Sequence, residues 1–195
     1  MLDTDKWDRF RDSLRSRGGV ELLAYNPARI GASHMRHFYA QAEADGVVRR
    51  VFLTGKVYDA DSFLAYFSSP ATLAVLLIFE ESIVGMGWLS NVEGRSALPN
   101  FFFLKRTWGR QSLQLGQMLL RYWFAFPGNG DDETALDILV GMTPAKNRLA
   151  CNFVKRLGFT IVGEIPRIAN GGPMMVSYLE LEQWKLIMIK QVEGN

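Results

Sequence analysis

Cysteine, histidine and long apolar runs are scarce in this chain of 195 residues. Cys151 is the only cysteine, and His34 and His37 are the only histidines. A single cysteine excludes an intrachain disulfide and any zinc site built from several cysteines, so we expect no metal. No run of about 18 apolar residues exists, and the charged N-terminal stretch lacks the apolar centre of a secretory signal. We therefore expect a cytoplasmic protein without a membrane partner.

Excess charge of either sign is missing too. Lys and Arg number 22 against 20 Asp and Glu, a net charge of +2, which gives no long-range attraction to nucleic acid. Aromatic residues are dense at Phe101–Phe103 and Tyr122–Phe126, but their spacing fits a core strand and a core helix. Because no basic stripe is interleaved with them, we expect no nucleic-acid partner.

What the chain does contain is an ordinary globular composition, with 48% hydrophobic and 22% charged residues. This length and composition predict a single domain over residues 1–195. Helical spacing over residues 4–15 places a helical extension at residues 1–19, and the core is expected at residues 20–184.

Strand and helix patterns alternate in the first half and predict a mixed α/β (α+β) fold. VELLAYNP is typical of a strand stopped by Pro27, ARIGASHMRHFYAQA of a helix and DADSFLAYFSSP of a second helix, with a loop at residues 45–56 between them. TLAVLLIFEE and SIVGMGWLSNVEG then form a hairpin through a turn at Glu80 and Glu81, and ALPNFFFLKR adds a third antiparallel strand.

The second half repeats the alternation. SLQLGQMLLRYWFAF has a helical apolar stripe, ALDILVGMTP is a strand, AKNRLACNFVKRLGF a helix, TIVGEIP a strand and GPMMVSYLELEQW the final strand. Asp137 interrupts an apolar strand early, and we expect it to be structural or to face the surface. The apolar residues of YLELEQWKLIMIK could pair with a second subunit in a homodimer.

One segment with chemical potential is FLKRTWGRQSLQLGQMLL, residues 103–120, where a strand passes through a glycine-containing turn into a helix. A helix N-terminus presents unpaired N–H groups and a positive dipole end, which together can bind an anion. Lys105, Arg106 and Arg110 strengthen that interpretation. The alternative is an ordinary turn whose basic residues are solvated.

The other segment is NRLACNFVKRLGF, residues 147–159, a short basic amphipathic helix. Asn147 can cap the helix start and Gly158 can end it, so both have structural roles available. Positions 147, 151 and 154 share one face, which could border a cleft while another face packs on the sheet.

Together the two segments resemble the GNAT superfamily of acyl-CoA-dependent N-acetyltransferases. The family pattern Q/R-x-x-G-x-G/A matches residues 111–116 at Gln111 and Gly116, with Gln114 in place of the middle glycine. The family pattern N-x-x-A-x-x-L/F-Y-x-x-x-G-F matches in register at Asn147, Ala150, Phe153, Gly158 and Phe159.

This resemblance implies a mainly antiparallel central sheet flanked by helices, with a splayed strand pair that holds acetyl-CoA or another acyl-CoA. It implies direct transfer of the acyl group, in a ternary complex, to a primary amine on a small molecule or peptide. The coenzyme-binding residues that it implies are Phe103, Leu104, Lys105, Gln111, Ser112, Leu113, Gln114, Leu115, Gly116 and Asn147.

The chain departs from the family at the position of a tyrosine that reprotonates the leaving thiolate, where it has Val154. Candidate groups that could serve instead are Cys151, His34, His37 and Glu93, although Cys151 also suits packing and the histidines also suit a solvated helix. Two functions therefore stay open: an N-acyltransferase, or a GNAT-like domain without chemistry that binds CoA or assists assembly.

Overall fold

The computed structural model describes residues 19–53, 55–69, 72–125, 136–169 and 172–193. The predicted helix over residues 4–15 lies outside them. None of the helices described in these ranges is long and apolar enough to cross a bilayer.

Seven strands and six α-helices follow one another along the described chain. In order they are β1 (Val20–Ala24), α1 (Ala32–Ala44), α2 (Val48–Val51), α3 (Ala60–Phe67), β2 (Leu73–Phe79), β3 (Ser82–Glu93), β4 (Ser96–Phe103), a 3₁₀ turn (Lys105–Thr107), α4 (Arg110–Ala125), β5 (Ile138–Pro144), α5 (Arg148–Arg156), β6 (Thr160–Ala169), β7 (Gly172–Glu180) and α6 (Leu181–Glu193).

The strands form one mixed sheet in the order β1-β2-β3-β4-β5-β7-β6. The β1–β2, β2–β3, β5–β7 and β6–β7 pairs are antiparallel. β4 and β5 are parallel, in a register that joins Ser96 to Ile138 and Ala97 to Leu139. The predicted mixed, mainly antiparallel sheet is confirmed.

By its contacts the chain divides into two compact units. The first contains the described residues up to Ser90 together with Asn100–Leu115. Its core is aromatic: Phe38 stacks on Phe102 with ring centroids 5.3 Å apart, and Phe52 stacks on Trp88 at 5.5 Å. Burying such rings is a large part of the stability of a domain this size.

The second unit contains Asn91–Pro99 and the described residues from Gly116 onward. Its strands pack around Leu139 and Leu179, which are fully buried. Arg95 holds Asp137 through two hydrogen bonds, one of 2.6 Å from Nη2 to Oδ1, and the bonded guanidinium lowers the pKa of Asp137. The structural, surface-facing role predicted for Asp137 is confirmed.

Two predicted elements were wrong. Residues 45–56 are not a plain loop, because Val47 and Val48 are buried and α2 forms around them. The chain does not end on a strand either: β7 stops at Glu180 and α6 follows. The alternation in the last strand breaks at Leu181, and Glu182 and Lys185 then pair across one helical turn with Nζ–Oε1 at 2.6 Å.

The start of α3 provides a test of the fold. The Asp59 carboxylate accepts a 2.8 Å hydrogen bond from the Ser62 N–H, and the Ser62 hydroxyl accepts one of 3.0 Å from the Asp59 N–H. The bond from the Ser62 N–H, and then that from its side chain, hold the pKa of Asp59 below its ordinary value of 3.8. A lowered native pKa contributes stability above the unfolded pKa and loses it as the pH falls through the native one.

We therefore expect Asp59→Asn, which keeps a neutral cap, to lower the Tm modestly at pH 7 and by a smaller margin near pH 3. Asp59→Ala, which loses the cap, should lower the Tm at both pH values. Thermal unfolding followed by circular dichroism measures these differences. A wild-type advantage over Asp59→Asn that is equal at pH 7 and pH 3 would contradict the charged cap.

Candidate functional site

The segment after β4 turns the chain from strand to helix within a few residues. Leu104 continues the extended backbone, Lys105–Thr107 form the 3₁₀ turn, and Gly109 has φ +97° directly before α4. That φ is strained for any residue with a side chain, so glycine is required here by the turn. Gly109 also has no side chain that could cap α4, the helix that follows it.

The free amides of this turn belong to the first turn of α4. An α-helix leaves its first four N–H groups, counted from the N-cap residue, without intrahelical partners. For a helix that begins at Arg110 these are the N–H groups of Gly109, Arg110, Gln111 and Ser112. The Ser112 hydroxyl donates to the Gly109 carbonyl over 2.8 Å and so tightens the turn. Of the six residues 111–116 that the resemblance assigns to the coenzyme, Gln111 and Ser112 keep amides that could bind its pyrophosphate.

From Leu113 onward helical geometry commits each N–H to a carbonyl four residues earlier, and this includes Gln114, Leu115 and Gly116. Gly116 has a packing role instead. A Cβ at this position would come within 2.9 Å of both Phe153 Cζ and Leu157 Cδ2. Its lack of a side chain lets α4 approach α5 closely.

A second register of the same glycine pattern was missed in the sequence. Arg106-x-x-Gly109 also satisfies the first two fixed positions of Q/R-x-x-G-x-G/A, and it lies on the turn itself rather than inside the helix. The start of the helix is the signal that would have found this second register. If the helix is placed after Gly109, the Arg106–Gly109 match falls on the turn.

Backbone groups at the end of β4 all have partners within the first unit. The Leu104 N–H donates to Val84 O over 2.9 Å, and the Leu104 carbonyl accepts from Thr107 Oγ1 over 2.8 Å. The Phe103 carbonyl accepts from the Trp108 indole over 3.0 Å, and the Lys105 N–H donates to Asp45 Oδ2 over 2.6 Å. Side chains thus occupy the Phe103 carbonyl and the Lys105 N–H, which belong to residues predicted to bind the coenzyme.

Three basic side chains accompany the turn. Lys105, Arg106 and Arg110 are exposed, and Arg106 Nη2 also donates to the Ile83 carbonyl over 3.2 Å. Their positive charge favours an anion at the same turn.

Asn147 caps α5 as its sequence position suggested. Its Oδ1 accepts from the Ala150 N–H over 3.2 Å, and its own N–H donates to Pro144 O over 2.8 Å. Among the described residues its Nδ2 has no protein acceptor, so this amide nitrogen could donate to a ligand carbonyl.

Cys151 and Val154 follow on α5. Partial burial raises the pKa of the Cys151 thiol, and Sγ lies 3.6 Å from the Pro144 carbonyl oxygen and 3.9 Å from that of Ala145. The thiol is therefore protonated at neutral pH, and it is a poor nucleophile. Val154 is buried and has no proton to give.

The remaining candidate groups are exposed. His34 and His37 line a surface pocket of about 270 Å³ with Gln41, Glu81 and Ser82, and His37 Nε2 lies 2.9 Å from Gln41 Nε2. Glu80 and Glu81 form the predicted tight turn, with φ values of 48° and 61°. Glu93 is exposed at the end of β3, in the other unit.

Comparison with known proteins identifies the fold. No protein-family model and no curated protein matches the sequence. Solved structures do match. A spermidine N-acetyltransferase from Vibrio cholerae, in complex with CoA and spermine, has a TM-score of 0.68 at 13% sequence identity, covering 87% of this chain and 99% of that chain.

Two further solved structures agree. A ribosomal-protein-S5-alanine acetyltransferase from Vibrio fischeri has a TM-score of 0.66 at 10% identity, covering 87% of this chain and 97% of its own. A probable acetyltransferase has a TM-score of 0.65 at 16% identity, covering 86% and 96%. The chain therefore shares the fold of these three structures, which is the GNAT fold that its motifs predicted. A fold alone does not establish an activity.

The packing of Gly116 can be tested by substitution. Gly116→Leu should destabilise the protein by about 1–3 kcal/mol because the new side chain overfills the contact with Phe153 and Leu157. Gly116→Ala should cost much less, since the gain of about 1 kcal/mol in helix propensity offsets part of the crowding. Urea unfolding measures both.

Arg121→Leu is the matched control, because Arg121 is exposed on the same helix and its replacement should change stability by less than about 0.5 kcal/mol. If Gly116→Leu is as stable as this control, the close approach of α4 to α5 is incorrect.

Proposed function

We propose that this chain is an N-acyltransferase that moves an acetyl or other acyl group from acyl-CoA to a primary amine. The observation that carries the proposal is the first turn of α4, whose leading amides have no intrahelical partner and which follows β4 through the left-handed Gly109 in a GNAT fold. One solved relative with this fold is a complex with CoA.

The pyrophosphate of the coenzyme fits the chemistry of this turn. The amides of Gln111 and Ser112 supply hydrogen-bond donors, and the helix dipole adds about half a positive charge at the same end. Lys105 and Arg110 add full charges nearby in the chain. The Asn147 Nδ2 group is proposed to donate to a carbonyl of the pantetheine arm.

The proposed reaction is direct attack. The nitrogen lone pair of a neutral amine attacks the thioester carbonyl, the C–N bond forms, and the C–S bond breaks as its electron pair leaves on the CoA thiolate. The amine proton passes to solvent and the thiolate takes a proton from solvent. Because Val154 cannot donate, positioning of the two substrates supplies most of the rate enhancement.

The acceptor is proposed as an amine on a small molecule or a peptide. The two named relatives are a spermidine N-acetyltransferase and an acetyltransferase of a ribosomal protein, so this fold serves acceptors of both sizes. A cytoplasmic location and a homodimer through the exposed Leu186 and Ile189 of α6 remain predictions.

Gln111→Glu tests the coenzyme site, because it adds a negative charge while the shape of the side chain stays almost the same. A carboxylate in the first turn of α4 should repel the pyrophosphate and weaken CoA binding roughly tenfold, while its interaction with the helix dipole keeps or slightly raises stability. Calorimetric titration with acetyl-CoA and with desulfo-CoA measures the affinity, and thermal unfolding measures the stability.

Gln117→Glu is the control, since it makes the same chemical change beyond the free amides of the helix. Equal affinities of the two variants would remove the pyrophosphate from this turn. No binding of either ligand to the wild type would refute the acyltransferase proposal and leave a shared fold.

Direct attack also predicts the pH dependence of turnover. With two acceptor amines whose ammonium pKa values differ by about two units, the rise of kcat/KM with pH should shift with the acceptor, because only the neutral amine attacks. The release of free CoA thiol measures the rate. A rise at the same pH for both amines would instead reveal a base on the protein.

A CoA-binding module without chemistry is the second candidate. The buried Val154 favours it, because the place of the family's proton donor is filled by a hydrocarbon. Saturable binding of acetyl-CoA with no turnover on a broad panel of amines would establish this second function.

A further inference from the structure

At the end of β4 the two edges of the strand carry the polar backbone groups of different residues. In extended backbone the C=O of residue i and the N–H of residue i+2 point to the same edge of the strand. The N–H and C=O of residue i+1 point to the opposite edge. Leu104 donates its N–H to Val84 of β3. The Phe103 carbonyl and the Lys105 N–H therefore face the edge away from β3.

That outer edge is filled by two side chains of the first unit. Asp45 Oδ2 accepts from the Lys105 N–H over 2.6 Å, and Trp108 Nε1 donates to the Phe103 carbonyl over 3.0 Å. We call Asp45 and Trp108 the strand-end latch. Asp45 supplies a hydrogen-bond acceptor and Trp108 supplies a donor. An extended chain that contains amides would present the same two kinds of group to the edge of a strand.

Both members of the latch are held in place. Asp45 is the C-cap residue of α1, and its own N–H donates to Gln41 O over 3.0 Å. The Trp108 ring lies under the guanidinium of Arg50, whose Cζ is 6.0 Å from the ring centroid. The ring is also 40% exposed, so it turns its N–H back to the strand while its face meets solvent.

We propose that the strand-end latch is an autoinhibitory contact, in which Asp45 and Trp108 occupy the backbone groups that the pantetheine amides need. This inference rests on the proposed function, since it assumes that a coenzyme pairs with the end of β4. Coenzyme binding then requires both side chains to leave. The apparent affinity is reduced by the fraction of molecules in which the latch is open.

Opening the latch by mutation should strengthen binding. Asp45→Ala removes the competing acceptor, and we expect it to bind CoA roughly fivefold to tenfold more tightly than the wild type. Trp108→Phe keeps the ring under Arg50 but removes the indole N–H, and we expect a gain of roughly twofold to fivefold. Calorimetric titration with CoA measures both gains.

A charge control is needed because loss of any carboxylate favours a polyanionic ligand. Glu43→Ala provides it: Glu43 is an exposed residue of α1 two positions before Asp45, and its replacement removes the same charge without touching Lys105. Asp45→Asn is the second variant if Asp45→Ala does not fold. Its amide oxygen still accepts but carries no charge, so we expect a gain of roughly twofold to threefold over Glu43→Ala.

The outcomes separate the two proposals. If the wild type binds CoA and Asp45→Ala binds no more tightly than Glu43→Ala, the latch is overturned, Asp45 is only a structural tether, and the proposed function stands. Binding by Asp45→Ala that is stronger than that of Glu43→Ala supports the latch, even where the wild type binds too weakly to measure. Binding by Trp108→Phe that is stronger than that of the wild type adds to this support. If none of these proteins binds CoA, the proposed function fails and the latch falls with it.

Discussion

The buried end of β4 cannot leave its amide and carbonyl groups unpaired, because each such group without a partner costs a large part of a hydrogen bond. Phe103 and Leu104 are almost completely buried, and Thr107 beside them is buried as well. The chain satisfies Leu104 through β3 and the 3₁₀ turn, and it satisfies Phe103 and Lys105 through Trp108 and Asp45. These bonds fix the segment that leads directly to Gly109 and the start of α4.

The glycines near α4 show why a motif needs a structure to fix its register. Gly109 is required by its backbone, at φ +97° with no atom within 4 Å of the place a Cβ would take, whereas Gly116 is required by its neighbours Phe153 and Leu157. The sequence pattern treats both as interchangeable glycines. Only the boundary of the helix separates an amide that is free to bind an anion from one that is committed to the helix.

Local patterns predicted the elements whose stabilising contacts are themselves local. The hairpin of β2 and β3, the apolar stripe of α4 and the Asn147 cap of α5 were all found in this way. The Asp45–Lys105 contact joins residues 60 positions apart, and no spacing rule reports such a pair. α2 was missed for a similar reason, because Val47 and Val48 are helical through burial in the aromatic core and not through any periodic pattern.

If the proposed latch opens for a coenzyme, the exchange of partners at the strand end determines which contacts supply the affinity. When pantetheine replaces Asp45, the Lys105 N–H loses a carboxylate acceptor and gains a neutral carbonyl, which is the weaker partner. In this exchange of acceptors alone, the pantetheine amide is the weaker partner of the Lys105 N–H. In the proposed complex the remaining free energy comes from a pyrophosphate on the first turn of α4 and from the renewed hydration of the Asp45 carboxylate, so the strand end and the helix start both contribute to the proposed affinity.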